Sequence, residues 1–138
     1  MATTRISLVL LSGIALAFGL AFVFAPGKFG AVLGLETSGS VAALGRLMGA
    51  AMLAWGLILW SARRFDAEAQ AAVLRATGFA DAVGAAAALV ASVSGAMNVF
   101  GGIVALVFLC GAMACMGLSM RERRAAAEAE GVILHNYE

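Results

Sequence analysis

Four long apolar segments constrain this chain more than any other feature of its sequence. They cover residues 6–24, 41–62, 76–95 and 99–119. Each holds about twenty residues, the length at which an α-helix crosses the roughly 30 Å hydrocarbon core of a bilayer. Apolar residues make up 63% of the chain and charged residues only 12%, whereas a soluble domain needs far more charge on its surface. The sequence therefore predicts an all-α, multi-pass membrane protein with four transmembrane helices.

The connections between these segments are short, so residues 1–138 are predicted to form a single domain, a four-helix bundle with short amphipathic connectors. Pro26 ends the first helix, because proline disfavours helical conformation in the residue before it. Residues 28–36 follow as a short amphipathic turn at the membrane surface. Residues 37–40 are predicted to cap the second span, and Asn98 the fourth.

Two segments outside the spans are also predicted to be helical. Residues 65–75 read as a partly charged surface extension of the third span, and residues 120–138 as a tail whose exposed helix ends at Gly131. Within the fourth span, Cys110 and Cys115 lie about 140° apart around the helix axis. This angular separation disfavours a disulfide between them, so both are interpreted as small packing residues.

Small residues recur at helical spacing in the first three spans. They allow two helix backbones to approach closely, and such packing drives helix association in lipid. The predicted helix-packing positions are Gly13, Ala17, Gly45, Gly49, Gly56, Gly84 and Ala88. A bundle of four helices has limited capacity to bury all of these surfaces. Some are therefore predicted to face other membrane-protein subunits or further copies of this chain.

Positive charge is distributed unequally between the two ends of the predicted bundle. Only Lys28 and Arg46 fall on one side. The other side holds the remaining basic residues: Arg5, Arg63, Arg64, Arg75, Arg121, Arg123 and Arg124. Because membrane proteins keep loops rich in Lys and Arg in the cytoplasm, both termini are predicted to be cytoplasmic. The expected localisation is a bacterial inner membrane.

The third span carries an acid, Asp81, on a helix face whose other residues are small. That face is expected to lie in a seam between helices, because an acid that faces lipid is costly. Three interpretations stay open. Asp81 accepts a hydrogen bond from Thr77, from a neighbouring hydroxyl or from water; it pairs with a basic residue such as Arg75 or one on a partner; or it is a proton or cation site.

Arg46 is the other charged residue within the predicted spans. It lies about five residues, or ~8 Å, from one end of the second span, while Asp81 lies about five residues from the opposite end of the third. In a roughly 30 Å core, this separates them by well over ~10 Å along the membrane normal. Each side chain also leans toward its nearer interface. We therefore expect Arg46 to reach the lipid headgroups rather than pair with Asp81.

Several kinds of chemistry lack the residues that they need. The sole histidine, His135, lies outside the spans and is therefore not available to ligate a haem within them. The sequence has no HExxH motif, no cluster of metal ligands and no phosphate-binding glycine loop. It predicts no enzyme activity, no cofactor or metal, and no nucleic-acid partner. A bound lipid is compatible with it, because the basic clusters at residues 63–64 and 121–124, interpreted as topology determinants, also favour anionic lipid.

Three segments carry a resemblance to a known group of proteins. They are APGKFGAVLGL, ALGRLMGAAMLAWGLILWSARR and VSGAMNVFGGIVALVFLCGAM. Together they resemble small four-helix bacterial inner-membrane proteins that are loosely similar to DoxX-type membrane proteins. The resemblance implies the four-helix fold and supplies no catalytic or binding residues.

These features together predict a non-catalytic accessory or assembly subunit, which packs against a larger membrane complex or against itself within the lipid bilayer. The alternative is a homo-oligomeric channel, or a transporter that couples protons or cations to a small solute through Asp81.

Overall fold

A computed structural model of the protein describes residues 2–35 and 38–135, and within these ranges the chain is all-helical. The helices are α1 (Ala2–Phe24), α2 (Pro26–Val32), α3 (Gly39–Ala62), α4 (Ala67–Val93) and α5 (Val99–His135). Four of them, α1, α3, α4 and α5, are long and apolar enough to cross a membrane. The predicted all-α fold with four candidate spans is therefore confirmed.

Polar side chains cap the N-termini of three helices. The hydroxyl oxygen of Ser38 accepts a hydrogen bond from the backbone N–H of Val41, 3.3 Å away, at the start of α3. The amide oxygen of Asn98 accepts one from the N–H of Phe100, 3.0 Å away, at the start of α5. Both caps were predicted, since such side chains satisfy N–H groups that have no partner within the helix. At the start of α4, Asp66 plays the same role.

The extent of α5 differs from the prediction. The helix continues through Gly131 and ends at His135, so the predicted stop at Gly131 is wrong. A glycine within a helix costs only about 1 kcal/mol relative to alanine, and the preceding residues 125–130, which are alanines and glutamates, favour helix strongly enough to outweigh it. The last residues of the predicted tail, 136–138, lie outside the described residues, and so do residues 36 and 37 of the connector.

The spanning helices are arranged as two closely packed antiparallel pairs, α1 with α3 and α4 with α5. In the first pair, a Cβ atom added to Gly49 would lie 2.8 Å from the carbonyl oxygen of Gly19. In the second pair, one added to Gly78 would lie 3.2 Å from the carbonyl oxygen of Ala112. The absence of a side chain at Gly49 is required for the first approach and favours the second at Gly78, so packing of small residues holds each pair together.

Contacts between the two pairs are far fewer than contacts within them. At one end, which we call the arginine-rich end, side chains from all four spanning helices form a buried cluster: Leu8, Leu59, Ala62, Leu74 and Cys115. At the other end, which we call the connector end, Asn98 donates hydrogen bonds to the last residue of α2 and to the residue after it. Its backbone N–H donates to the Leu33 oxygen and its side-chain amide to the Val32 oxygen, at 3.0 and 2.9 Å.

The outer surface of the helices is apolar. Large side chains such as Phe24, Phe79 and Val93 are 72–81% exposed, and only a small share of each candidate span is buried within the chain. Exposed apolar surface of this extent suits contact with lipid and is unsuited to contact with water. The fold is that of a small integral membrane protein.

Candidate functional site

Asp81 lies on α4 and faces α5, where its side chain is half-buried. A Cβ atom added to Gly111 of α5 would lie 2.7 Å from the carboxylate oxygen Oδ2 of Asp81. The carboxylate therefore occupies space that Gly111 leaves open by having no side chain. The two residues define the candidate site, and they place the acid in the seam between α4 and α5.

Thr77 shares the helix face of Asp81 but is bonded elsewhere. Its hydroxyl donates to the carbonyl oxygen of Val73, 2.9 Å away. Further along the same face, the hydroxyl of Ser92 donates to the carbonyl oxygen of Ala88 at 2.8 Å. Each hydroxyl has one proton to give, so neither donates to Asp81, and Thr77 is not the donor among the alternatives that the sequence left open. A hydroxyl within a helix has a carbonyl oxygen within reach one turn earlier, and bonding there satisfies the donor locally.

Arg46 is exposed on α3, toward the connector end, whereas Asp81 faces α5. The structure does not bring these two residues together, and the candidate site does not include Arg46. This placement agrees with the separation expected from their depths in the spans.

Four of the predicted packing positions lie at contacts between helices. A Cβ atom added to Gly45 would lie 3.1 Å from Pro26 at the start of α2, and one added to Gly56 would lie 2.8 Å from Leu16 on α1. Gly49 touches α1 as described above. On α4, a Cβ atom added to Gly84 would lie 3.3 Å from the ring of Phe108 on α5. The predicted position Ala88, also on α4, is buried.

Gly13 and Ala17 lie outside these contacts. Both are exposed, and a Cβ atom added to Gly13 would meet no other atom within 4 Å. The neighbouring face of α1 packs on α3 instead. There Ser12 is fully buried, and its hydroxyl donates to the carbonyl oxygen of Gly56 at 2.8 Å. α1 packs on α3 with the face that carries Ser12, because that face places a hydroxyl donor on the Gly56 carbonyl oxygen. Gly13 and Ala17 are therefore left on the surface.

The sequence analysis missed a buried polar pair at the arginine-rich end. Thr4 on α1 and Glu122 on α5 are 3% and 4% exposed, and the threonine hydroxyl donates to the glutamate carboxyl group. Glu122 was assigned to an exposed tail. A signal for its burial exists, because it continues a stripe at spacings of three and four residues. The stripe consists of Phe108, Ala112, Cys115, Ser119 and Glu122.

Gln70 is a second polar residue that the sequence analysis missed. It is buried near the start of α4, and its side-chain amide donates to the carbonyl oxygens of Arg63 and Phe65 at 3.3 and 3.1 Å. These carbonyls lie just after the end of α3, where backbone oxygens lack partners within the helix. The hydrogen bonds of Gln70 therefore hold the turn between α3 and α4, the segment of chain that connects the two helix pairs.

The two cysteines differ in their surroundings. Both are free thiols; Cys115 is fully buried in the cluster at the arginine-rich end, whereas Cys110 is exposed on the outer surface. The packing role predicted for both is therefore met by Cys115 alone. In the part of the chain that the structure describes, no group of three His, Cys, Asp or Glu residues is placed to hold a metal ion.

An open apolar groove of about 450 Å³ runs along the outside of the α4–α5 pair. Its lining consists of small residues and leucines: Ala82, Ala85, Ala86, Leu89, Gly102, Ala105, Leu106 and Leu109. We call it the α4–α5 groove. The alanines and the glycine leave room between the two helices because they carry little or no side chain.

Fold and surface together define a small integral membrane protein with four candidate spanning helices. Compared with protein-family models, with curated proteins and with solved structures, the chain has no match. The resemblance to DoxX-type membrane proteins stays a prediction.

Proposed function

We propose that this protein is a non-catalytic accessory or assembly subunit of a membrane complex. In this proposal the α4–α5 groove receives a helix of a larger membrane protein or of a second copy of the chain. The observation that carries the proposal is the groove itself, with its lining of alanine, glycine and leucine.

The physics of association in lipid supports this role. Lipid tails are as apolar as leucine, so helices associate through close packing and not through the hydrophobic effect. A groove lined by small residues lets the backbone of a second helix approach closely, and this close packing favours the helix over lipid in the groove. The α4–α5 pair also makes few contacts with α1 and α3, which leaves much of its surface available to a partner.

The same proposal places the chain in a bacterial inner membrane with both termini in the cytoplasm. The arginine-rich end brings together the ends of α1, α3, α4 and α5 that hold seven of the nine basic residues. Such a bias favours a single orientation with this end inside.

The proposal is tested by the mass of the protein in a mild detergent. The full chain is purified without harsh solubilisation, and light scattering or native mass spectrometry gives the protein mass of the complex. We expect a homo-oligomer or a stoichiometric complex with another membrane protein. Gly102→Leu is expected to release the monomer, because no other atom lies within 4 Å of a Cβ atom at Gly102 and the leucine would enter the groove.

Gly117→Leu is the matched control. Gly117 lies on the same helix, is equally free of atoms within 4 Å of a Cβ atom, and does not line the groove. We expect this variant to keep the mass of the unaltered protein. Recovery of the unaltered chain as a monomer, or an equal effect of the two substitutions, would contradict the subunit proposal.

A second candidate function rests on Asp81. Its carboxylate lies in the α4–α5 seam beside Gly111, and the hydroxyl groups of Thr77 and Ser92 donate elsewhere. An acid in this position is suited to bind and release a proton or a small cation within a homo-oligomeric channel or transporter. In proteoliposomes of the purified chain, Asp81→Asn is expected to abolish proton- or cation-coupled flux. Equal flux in both proteins, or none in the unaltered chain, would rule this candidate out.

A further inference from the structure

A second groove lies at the arginine-rich end, between the start of α1 and the end of α3. It is an open groove with a volume of about 530 Å³. Its lining divides into two halves of different chemistry. One half holds three arginines and the other three aliphatic side chains: Arg5, Arg63 and Arg64, and Ile6, Val9 and Leu10. We call it the arginine groove.

Arg63 is held in position with part of its hydrogen-bonding capacity unused. Its guanidinium group stacks on the ring of Trp60, 3.6 Å from the ring centroid. This contact fixes the plane of the guanidinium group and lowers the conformational entropy that the side chain loses when an anion binds. The Nε–H group of Arg63 is buried and has no hydrogen-bond partner. The stacking on Trp60 therefore leaves a guanidinium group of restricted orientation in the lining of the groove.

The charge of the groove is complementary to an anion. All three polar residues in its lining are arginines, and the described lining contains no carboxylate to neutralise them. A guanidinium group donates two parallel hydrogen bonds to the oxygens of a carboxylate or a phosphate, so three of them around one cavity suit an oxyanion. The arginines also lie at the end of the spans, where phospholipid phosphates are found.

We propose that the arginine groove binds one anionic phospholipid, with its phosphate between Arg5, Arg63 and Arg64. One acyl chain lies along Ile6, Val9 and Leu10, which face outward from α1. The apolar half of the groove distinguishes a lipid from free inorganic phosphate, which has no group to place there. The site is independent of the subunit role, because it lies on the other helix pair and at the opposite end from Gly102.

Native mass spectrometry of the purified full chain tests the site with two probes that have the same acyl chains. Dioleoyl phosphatidylglycerol carries a net negative charge, and dioleoyl phosphatidylcholine carries none. We expect one phosphatidylglycerol molecule to bind in preference to phosphatidylcholine. The double substitution Arg63→Gln with Arg64→Gln is expected to weaken phosphatidylglycerol binding about 30-fold, since each basic residue near anionic lipid contributes about a factor of five.

Arg123→Gln with Arg124→Gln is the matched control. These residues form an adjacent, exposed pair on the same end of the protein and do not line the groove. The control removes the same charge but leaves the lining of the groove intact. It is therefore expected to leave the binding of the first phosphatidylglycerol molecule unchanged. Equal weakening by both double variants would show a general charge effect and overturn the proposal, as would a lack of preference for phosphatidylglycerol. Binding of glycerol phosphate as tight as that of the lipid would assign the site to a free phosphate instead.

A measurement on the groove with its arginines intact keeps the proposal testable if the double variant does not fold. The chain has two tryptophans, and Trp55→Phe leaves Trp60, on which Arg63 stacks, as the only tryptophan. In phosphatidylcholine vesicles with a minor fraction of brominated lipid, brominated phosphatidylglycerol is expected to quench Trp60 more strongly than brominated phosphatidylcholine. Equal quenching by the two lipids would contradict a selective site.

Discussion

Thr4 and Glu122 are separated by 118 positions in the sequence, and their side chains meet in the interior of the arginine-rich end. The hydrogen bond joins α1 of one helix pair to α5 of the other. Both residues are nearly inaccessible to solvent, so water does not replace the bond when it is lost. A buried acceptor that loses its donor is costly, and this makes the pair a specific tie between elements that otherwise touch little.

Thr4→Val is therefore expected to destabilise the protein. Valine keeps the shape of threonine and removes the only proton that the hydroxyl gives to Glu122. We expect the free energy of unfolding to fall by about 1–3 kcal/mol, measured by titration with a denaturing detergent in mixed micelles. Ser7→Ala is the control, because the Ser7 hydroxyl is exposed and donates only to the Thr3 oxygen of its own helix. A similar loss in both variants would show that the tie is not specific.

The close approach of two whole helices, α1 and α3, depends on one glycine, Gly49. A Cβ atom added to Gly49 would lie 2.8 Å from both the Gly19 oxygen and the Val23 nitrogen, which are backbone atoms and not flexible side-chain ends. Gly49→Ala therefore forces the two helices apart, and we expect a loss of about 1–3 kcal/mol in unfolding titrations. Gly13→Ala adds the same atom to an open surface of α1 and is expected to cause no loss of stability, and a gain of up to about 1 kcal/mol because alanine favours helix more than glycine does. Equal stability of the two variants would contradict the pairing of α1 with α3.

The helices themselves follow from sequence, but their pairing does not. Four apolar segments of the right length and the capping residues Ser38 and Asn98 mark where α3 and α5 begin, because length, polarity and capping are local properties. Which face of α1 meets α3 is not local. The face with Gly13 and Ala17 resembles the face with Ser12 and Gly19 in the size of its residues, and only the second has a donor placed on the Gly56 oxygen.

The candidate site was predictable to a similar degree. An acid among small residues indicated that Asp81 lies in a seam, and it does. That the seam is made with Gly111 depends on the register of α5 against α4, which no spacing within one helix reveals. The burial of Glu122 was not predicted, for a different reason. Its charge suggested an exposed tail, although its spacing from Cys115 and Ser119 continued the buried face of α5.

Helix α4 is less apolar than α5 and carries Asp81, so we expect it to insert poorly on its own. Alanine and glycine gain little from lipid, and an aspartate opposes insertion by about 3 kcal/mol at the centre of a span and by less toward its ends. In a translocon assay, residues 67–93 alone are expected to insert inefficiently, whereas residues 67–128 insert as a hairpin. Asp81→Leu is expected to rescue the single helix. Efficient insertion of unaltered α4 alone would contradict this expectation.

On the scale of the whole molecule, two helix pairs are held together near their ends. At the arginine-rich end, Leu8, Leu59, Leu74 and Cys115 bury one another, and the Thr4 bond lies beside them. At the connector end the described tie depends on Asn98, whose backbone and side-chain amides donate to Leu33 and Val32. The first contact is a packed cluster and the second is a few hydrogen bonds. The two ends should therefore differ in how easily they separate.

Asn98→Ala is expected to loosen the connector end alone, because it removes the amide that donates to Val32 and the oxygen that caps α5. Spin labels at Phe24 and Val93, both highly exposed, report the separation of the pairs at that end in a background without native cysteines. Their distance distribution, measured by double electron–electron resonance, should broaden in the variant. Labels at Ile6 and Met120, which are exposed near the arginine-rich end, should keep a narrow distribution. Equal broadening at both ends would mean that the pairs separate as one cooperative unit, and no broadening would mean that the Asn98 side chain is not the tie.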